Sequence, residues 1–192
     1  MTILTAATAA PQILPPKTLA DAKIRLTYCT YLSDPENPTI AELNAGIDLS
    51  QRVLKADYRL SATASETVDD QAALSDESNP VVLGPSNYEG LISIFRWFDP
   101  THLGRHDTLG DIAFQALKDK GTGGYMVARE TGKRFDAAWE ATDEVDVYEI
   151  LTDTPQKPTD NGGFIRRTVP LNPQRAWQNR AVRPAVTSTG GR

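Results

Sequence analysis

The sequence predicts a mainly β protein: an antiparallel β-sandwich or barrel with one flanking α-helix, a long loop between two strands, and extended arms at both termini. Several segments alternate apolar and polar residues or are dense in β-branched and aromatic residues, and one segment, about 108–120, has helical periodicity. A chain of 192 residues, 40% hydrophobic and 23% charged, is long enough to bury one core.

We expect three parts along the chain. Residues 1–20 are rich in alanine, threonine and proline without periodicity and predict an N-terminal arm. Residues 21–171 predict a single β-sandwich domain, and residues 172–192 a basic C-terminal arm. The apolar runs are far shorter than a membrane span, and the N-terminus lacks the features of a secretory signal, so we expect no membrane association and no export by that route.

The first strand is predicted at residues 23–31, which alternate. Cys29, the only cysteine, is expected as a buried small hydrophobe, and no internal disulfide can form. For residues 39–50 one alternative is a short helical turn capped by Thr39. We favour irregular structure with a strand that begins near Asp48.

A strand, a long loop and a second strand follow. Residues 58–65 alternate strictly, residues 66–86 are acidic and small, and residues 91–98 are dense in apolar side chains. Loops beyond about 12–15 residues are generally functional or disordered, so the 66–86 loop is expected to contact a partner. The aromatic side chains of the second strand are expected in the core: Phe95, Trp97 and Phe98.

The helix at 108–120 is supported by its termini. Thr108 is a plausible N-cap, with Asp111 three residues later as in a capping box, and Gly121 a plausible C-cap. Further strands are predicted at 124–130, 145–151 and 163–169, the last of them closing the core, with 182–186 as an optional addition.

Charge is distributed unevenly. Six arginines and no acid follow Asp160, so residues 161–192 carry +6. Residues 1–160 carry −11, and the sum is the net charge of −5. Parts of opposite sign can attract each other within a subunit or between neighbours, although a solvated basic tail is the simpler alternative. The candidate inter-subunit contacts are Asp69, Asp70, Asp76, Glu77, Arg175, Arg180 and Arg183.

We find no catalytic, cofactor or metal constellation in the sequence. His102 and His106 are four residues apart near aspartates, but Pro100 and Gly104 argue against a continuous helix through both, and no HExxH glutamate is present. The loop acids lack the spacing of a calcium loop. We therefore expect no enzyme, no metal and no cofactor.

Three blocks carry a family resemblance: RLSATASETVDD, GPSNYEGLISIFRWFDP and VDVYEILTDTPQKPTDNGGFIRRTVPLNPQ. They resemble the major tail (tail tube) proteins of long-tailed, siphovirus-type phages of actinobacteria, over roughly residues 22–183. The resemblance implies a β-sandwich subunit that forms hexameric rings. These stack into a hollow tube in the virion, bind tip, tape-measure and terminator proteins, and conduct genomic DNA without binding it specifically. Synthesis in the host bacterial cytoplasm is implied as well.

Two other interpretations stay open. The chain could be another ring-forming virion part, such as a tail terminator or connector, or a tube protein of a secretion system. It could also be a capsid-decorating or carbohydrate-binding β-sandwich that uses a tryptophan platform: Trp97, Trp139 or Trp177. For a DNA conduit an acidic lumen is expected, because cation–phosphate contacts would slow the passing DNA.

Overall fold

The fold is an antiparallel β architecture with little helix. The computed structural model describes residues 14–68, 72–75, 77–78, 81–160 and 162–184. Within these ranges the elements, in chain order, are β1 (Ile24–Cys29), α1 (Ile40–Ala45), β2 (Ile47–Asp48), a 3-10 turn (Lys55–Asp57), β3 (Arg59–Thr63), β4 (Thr67–Val68), β5 (Val82–Leu83), β6 (Asn87–Phe95), α2 (Ile112–Leu117), β7 (Gly123–Glu130), β8 (Glu144–Thr152) and β9 (Arg166–Ala181). The predicted fold class is confirmed, with two short helices where one was expected.

Seven of the strands form one sheet, in the order β2-β1-β7-β8-β9-β6-β3, while β4 and β5 form a separate two-stranded sheet. All pairs of named strands are antiparallel. The first part of β9, to Leu171, pairs with β6, and the part from Leu171 onward pairs with β8. One long strand therefore joins the two halves of the sheet.

The length of β9 corrects a prediction. The last core strand was expected to end at Val169, but β9 runs on to Ala181. Prolines, which interrupt a strand pattern, stand at positions 170 and 173, and the ladder tolerates the second through a register shift between Glu149 and Ile150. Residues 172–181 are thus part of the sheet, and the proposed domain boundary after residue 171 falls inside this strand.

Both faces of the sheet are covered, as the alternation along β7 shows. Met126 and Ala128 belong to the larger core cluster, under α2 and Leu49, whereas Val127 belongs to a second cluster on the opposite face. The buried members of the second cluster are Cys29, Leu32, Leu43, Val127, Trp139, Val145, Val147 and Val182. The expected burial of Cys29, at 3% exposure, is confirmed.

Helix α1 lies where irregular structure was favoured, so that preference was wrong. A full capping box starts the helix: the Glu42 backbone N–H donates to Thr39 Oγ1 at 3.3 Å, and the Thr39 N–H donates to Glu42 Oε2 at 2.9 Å. Gly46 ends it where a Cβ would lie 2.6 Å from Thr27 Cγ2. The strand expected near Asp48 is present as β2.

Glu42 should make the subunit labile to acid. Burial by itself raises its pKa, but hydrogen bonds from Ser33 and Thr39 outweigh burial and hold the pKa at about 2, below the ordinary 4.5. Because the folded-state pKa is depressed, its stabilisation is complete above about pH 4.5 and is lost as the pH falls towards 2. We expect Glu42→Gln to lose about 1–2 kcal/mol at pH 7 and almost nothing at pH 2. Urea unfolding of both proteins across this range measures the difference, and a constant difference would contradict the assignment.

Helix α2 is shorter than predicted. It spans residues 112–117 instead of 108–120, and Thr108 does not cap it. Asp107 instead forms a tight turn, in which its Oδ1 accepts from the backbone N–H groups of Leu109 at 3.0 Å and Gly110 at 2.5 Å. Asp111 precedes the helix but makes no cap bond, since its carboxylate binds Arg96. Lys118, not Gly121, is the C-cap.

The aromatic side chains at the end of β6 and just beyond it are less buried than predicted. Phe95 and Trp97 are half-buried, and Phe98 is exposed at 38%, so the expectation of a core position for Phe98 was wrong. The strand ends at Phe95 because the next backbone groups bond to loops: the Arg96 N–H donates to Ile165 O at 2.8 Å. In the part of the chain that is described, no helix is long and apolar enough to cross a membrane.

Candidate assembly surfaces

Strands β4 and β5 form a two-stranded sheet of their own, separate from the seven-stranded sheet. We call the segment that contains them, residues 64–86, the β4–β5 arm. Thr67 pairs with Leu83 and Val68 with Val82, and the Gly84 N–H donates to Glu66 O at 2.7 Å. This hairpin occupies the long loop that the sequence predicted between β3 and β6. An isolated two-stranded hairpin is marginally stable in water, so a hairpin of this kind gains from a partner surface.

The arm exposes apolar side chains to solvent. Leu83 is 73% exposed, although it lies in a paired strand. The exposed apolar residues of the arm are Val68, Leu74, Val81, Val82 and Leu83. Scattered exposed apolar residues are ordinary on a monomer, but five within one short segment indicate an interaction surface.

The acidic residues predicted as contacts also belong to this arm. Asp69, Asp70 and Asp76 lie outside the described residues. Glu77 is exposed, and no ion pair within the described ranges includes it. Its partnership with the C-terminal arginines therefore stays a prediction.

The three predicted arginines lie on or just after β9. Arg175 stands opposite Glu149 of β8, with 3.9 Å between Nε and the carboxylate, and its side chain is 75% exposed. Arg183 lies 3.9 Å from Asp34 and is also exposed. Arg180 is half-buried, and its Nε has no hydrogen-bond partner among the described residues. Each arginine is held near the sheet and is not part of a free tail.

Several strand edges carry backbone groups without a partner strand in the part that the structure describes. β2 pairs only with β1 and β3 only with β6, so the outer edge of each is free. Beyond Leu171, β9 pairs with β8 on one side, and β6 no longer accompanies it on the other. Bare edges are templates for pairing with another chain.

Near the other end of β6 the structure exposes apolar side chains that the sequence analysis missed. Phe98, Phe164 and Ile165 are 38%, 80% and 55% exposed. Phe95 pairs with Arg166, so Phe164 and Ile165 follow directly beyond the strand end. An aromatic and an aliphatic residue directly after the Gly162–Gly163 pair are the signal in the sequence for this exposure, but the same residues fall in the strand predicted at 163–169.

A buried ion pair between Arg96 and Asp111 fixes the loop that follows β6. Asp111 is fully buried and binds Arg96 with both carboxylate oxygens, at 2.8 and 2.9 Å. The Arg96 guanidinium lies 3.9 Å from the Phe114 ring and 5.3 Å from that of Phe98. Burial raises the pKa of Asp111, but its bonds to Arg96, Gln115 and Trp97 outweigh burial and lower it. The 96–111 loop is therefore anchored by charge as well as by packing.

The candidate chemical groups are not assembled into a reactive site. His102 Nδ1 lies 3.2 Å from Asp99 in an exposed turn, and no group of three or more His, Cys, Asp or Glu residues in the described ranges could hold a metal ion. Burial, and then Glu42, raise the pKa of Cys29 to about 11, which keeps its thiol protonated. Trp139 is 4% exposed beneath Arg25 and Arg129 and cannot serve as a sugar platform.

Among solved structures, four chains match. One is a chain of the cryo-EM structure of the anti-feeding prophage (AFP) baseplate, 6-fold symmetrised, with 13% sequence identity, a TM-score of 0.43, and coverage of 88% of this chain and 95% of that one. This TM-score is too low to establish a shared fold. No curated protein matches. A family model described as phage tail tube protein matches residues 12–186, most of the chain. The chain therefore belongs to the phage tail tube protein family and is a structural component of a phage tail.

Proposed function

We propose that this protein forms the tail tube of a siphovirus-type actinobacteriophage, as hexameric rings stacked into a hollow tube that conducts genomic DNA. The observation that carries the proposal is the β4–β5 arm, a separate hairpin with exposed apolar side chains, on a chain of the tail tube family. The role is assembly without catalysis, and the further partners are the tip, tape-measure and terminator proteins. Synthesis takes place in the host bacterial cytoplasm.

Ring closure would use the free strand edges. The outer edge of β3 in one subunit can pair with the free edge of β9 in the next, and residues 172–181 provide a long edge for this. Such a contact is heterologous, because different surfaces of the two copies meet, and repetition around an axis closes it into a ring. Closure also removes the aggregation hazard of a bare edge.

The charge distribution suits a DNA conduit. With −11 carried by residues 1–160, the bulk of the subunit repels phosphate, and DNA slides without a counterion-release gain at the wall. We propose that acidic side chains line the bore, that Arg175, Arg180 and Arg183 face acids of neighbouring subunits, and that residues 1–20 act as a joining arm. A cryo-EM map of the tube with a net basic bore would overturn the first of these assignments.

Negative-stain electron microscopy of the purified protein tests the proposed function. A tube protein gives long filaments of stacked rings. Single rings that never lengthen would indicate a terminator or connector. Dispersed monomers at high concentration, in a folded sample, would favour a capsid-decorating protein.

Salt should weaken the assembled tube if the arginines bridge subunits. Arg175 and Arg183 have side chains that are 75% and 58% exposed, so screening acts on them strongly. We expect the sedimenting fraction of tubes to fall as NaCl rises from 0.05 to about 1 M, where the Debye length shrinks to about 3 Å. The variant Arg175→Gln/Arg183→Gln should show a flatter salt response, and wild-type tubes indifferent to salt would indicate apolar joints instead.

A further inference from the structure

We propose that the subunit carries a binding site for a neutral oligosaccharide on the face of the sheet opposite the larger core. The site is a groove of about 630 Å³ at the end where β1, β7, β8 and β9 lie side by side. We call it the aromatic trough, and the lining residues that define it are Tyr31, Gly123, Tyr125, Glu149, Gln174 and Arg175. The inference goes beyond assembly, because it concerns what a single subunit binds.

Strand pairing aligns the residues that line the trough. Tyr125 of β7 pairs with Glu149 of β8, which pairs in turn with Arg175 of β9. On its other side Tyr125 pairs with Cys29, the last residue of β1, and Tyr31 follows two positions later. The outer two of four neighbouring strands are about 14 Å apart, so the trough is long enough for several linked sugar rings. Because the row belongs to one hydrogen-bonded sheet, its spacing is fixed before a ligand arrives.

Gly123 gives the trough its depth. Successive side chains of a strand point to opposite faces, and a Cβ on Gly124 would lie 2.5 Å from the Tyr28 ring in the larger core. Gly123 therefore faces the trough, together with Tyr125. A Cβ on Gly123 would lie 3.5 Å from Leu151 Cδ2, an ordinary contact, and its backbone is outside the left-handed region. Neither packing nor backbone conformation requires glycine here, but a larger side chain would fill the groove.

Aromatic rings supply the apolar surface on which a sugar ring can stack. Tyr31 is 70% exposed. Tyr125 and Trp177 are half-buried against the second core cluster, with 6.5 Å between ring centroids and 45° between ring planes. Burial, and then Glu149 and Tyr31, raise the pKa of Tyr125, which agrees with a hydroxyl surrounded by these side chains. Tyrosine and tryptophan combine an apolar ring with a polar edge, which suits a ligand with C–H faces and hydroxyl edges.

The polar rim of the trough favours a neutral ligand. Arg175 and Glu149 bring one positive and one negative charge, and 3.9 Å separates Nε from the carboxylate oxygen. This distance exceeds that of a hydrogen bond, so both groups keep bonding capacity for ligand hydroxyls. Gln174 adds an amide, which is oriented by donation from its Nε2 to Asn172 O at 3.0 Å. A phosphate or carboxylate ligand would gain from Arg175 but would be repelled by Glu149.

The volume of the trough is that of a small-ligand site. Such sites occupy about 300–1,000 Å³ and combine apolar walls with a few polar groups that fix orientation. Here the walls are aromatic, and the polar groups are a carboxylate, a guanidinium and an amide. These are the groups that a polyol with one apolar face requires, and we therefore assign the trough to carbohydrate.

Titration with neutral hexasaccharides tests the site. Arg175 is also a candidate for contacts between subunits, so the full-length protein is used unassembled, where no neighbour can cover the trough. Maltohexaose, cellohexaose and mannohexaose are added separately, and binding is followed by tryptophan fluorescence and saturation-transfer NMR. We expect saturable binding of at least one of them, with a Kd of about 1 mM or below. A hyaluronan hexasaccharide, which is anionic, should bind more weakly than the best neutral one.

Two substitutions and a matched control locate the binding. Tyr31→Ala removes an exposed stacking ring, and Gly123→Val fills the groove. Each should weaken binding at least about tenfold. Phe164→Ala removes another exposed aromatic ring, which is not part of the trough lining, and should change the Kd by less than about twofold. Circular dichroism and urea unfolding verify the fold, and Gly123→Val should be at least as stable as the wild type, because valine favours a strand.

Three results would overturn the proposal. They are failure of all three neutral hexasaccharides to bind, equal loss of affinity from Tyr31→Ala and Phe164→Ala, and tighter binding of the anionic hexasaccharide than of the neutral ones. If Gly123→Val does not fold, the comparison of Tyr31→Ala with Phe164→Ala decides. None of these results depends on tube formation, which electron microscopy tests separately.

Discussion

Replacement of Arg129 by alanine should destabilise the folded subunit by about 3–5 kcal/mol, the range for removing one partner of a buried ion pair. Arg129 is fully buried. Its Nη1 donates to Asp143 Oδ2 at 3.0 Å and Ala138 O at 3.1 Å, and its Nη2 donates to Arg134 O at 2.8 Å and Ala137 O at 3.0 Å. The substitution removes one donor from each of these acceptors, although Asp143 keeps Lys133 and the Glu140 N–H. It also removes the cation that packs 4.8 Å from the Trp139 ring.

Urea unfolding of unassembled protein measures this effect. The control is Arg134→Ala, since that side chain is 65% exposed and pairs with Asp136 at the surface, where an ion pair contributes little. We expect the control to change the free energy of unfolding by less than about 0.5 kcal/mol. Arg129→Lys keeps the charge but loses the forked donors and should fall between the two. A loss below about 1 kcal/mol for the alanine variant would show that the loop rearranges to satisfy its carbonyls.

Shortening the β4–β5 arm should abolish tubes while leaving the subunit folded. Val68 and Val82 are direct partners, so residues 69–81 can be replaced by Asn-Gly, which closes a hairpin with a two-residue turn. The replacement removes the exposed Leu74 and Val81 and four of the five acids of the arm. The core clusters contain no arm residue, so folding should be unaffected.

Far-UV circular dichroism and thermal unfolding report the fold of the shortened protein, and electron microscopy and sedimentation report assembly. Ser75→Ala/Ser78→Ala alters the same arm without removing an apolar or charged side chain, and it should form normal tubes. Tubes of ordinary length from the shortened protein would show that the arm is dispensable. If the shortened protein loses both its tubes and its folded circular dichroism spectrum, the loss of tubes would result from misfolding of the subunit and not from a missing contact between subunits.

Strand positions were predictable where side chains alternate, because a period of two is a local property of a half-buried strand. Residues 23–31, 124–130 and 145–151 illustrate this, and β1, β7 and β8 lie there with small shifts at the ends. The residues at which the helices begin and end were less predictable. Thr39 and Thr108 both offered a helix N-cap, but only Thr39 has the glutamate three residues later that completes a capping box.

The long β9 shows why pattern alone was insufficient. Its alternation is interrupted by Pro170 and Pro173, which predict a break when the partner strand is unknown. The pairing with β8, more than twenty residues earlier in the chain, absorbs the second proline at a register shift. Arg175 and Arg180 therefore belong to a sheet, where the sequence predicted a basic arm.

The sequence by itself determined the antiparallel β class, the single buried cysteine, the acidic arm between two strands and the separation of charge, because each is set by composition or by near neighbours in the chain. The tertiary structure alone decided that Arg129 is buried, that Phe98, Phe164 and Ile165 are exposed, and that β9 pairs with both β6 and β8. These facts depend on which strands pair and in which register. Pairing of that kind is a property of residues distant in sequence, which no local pattern specifies.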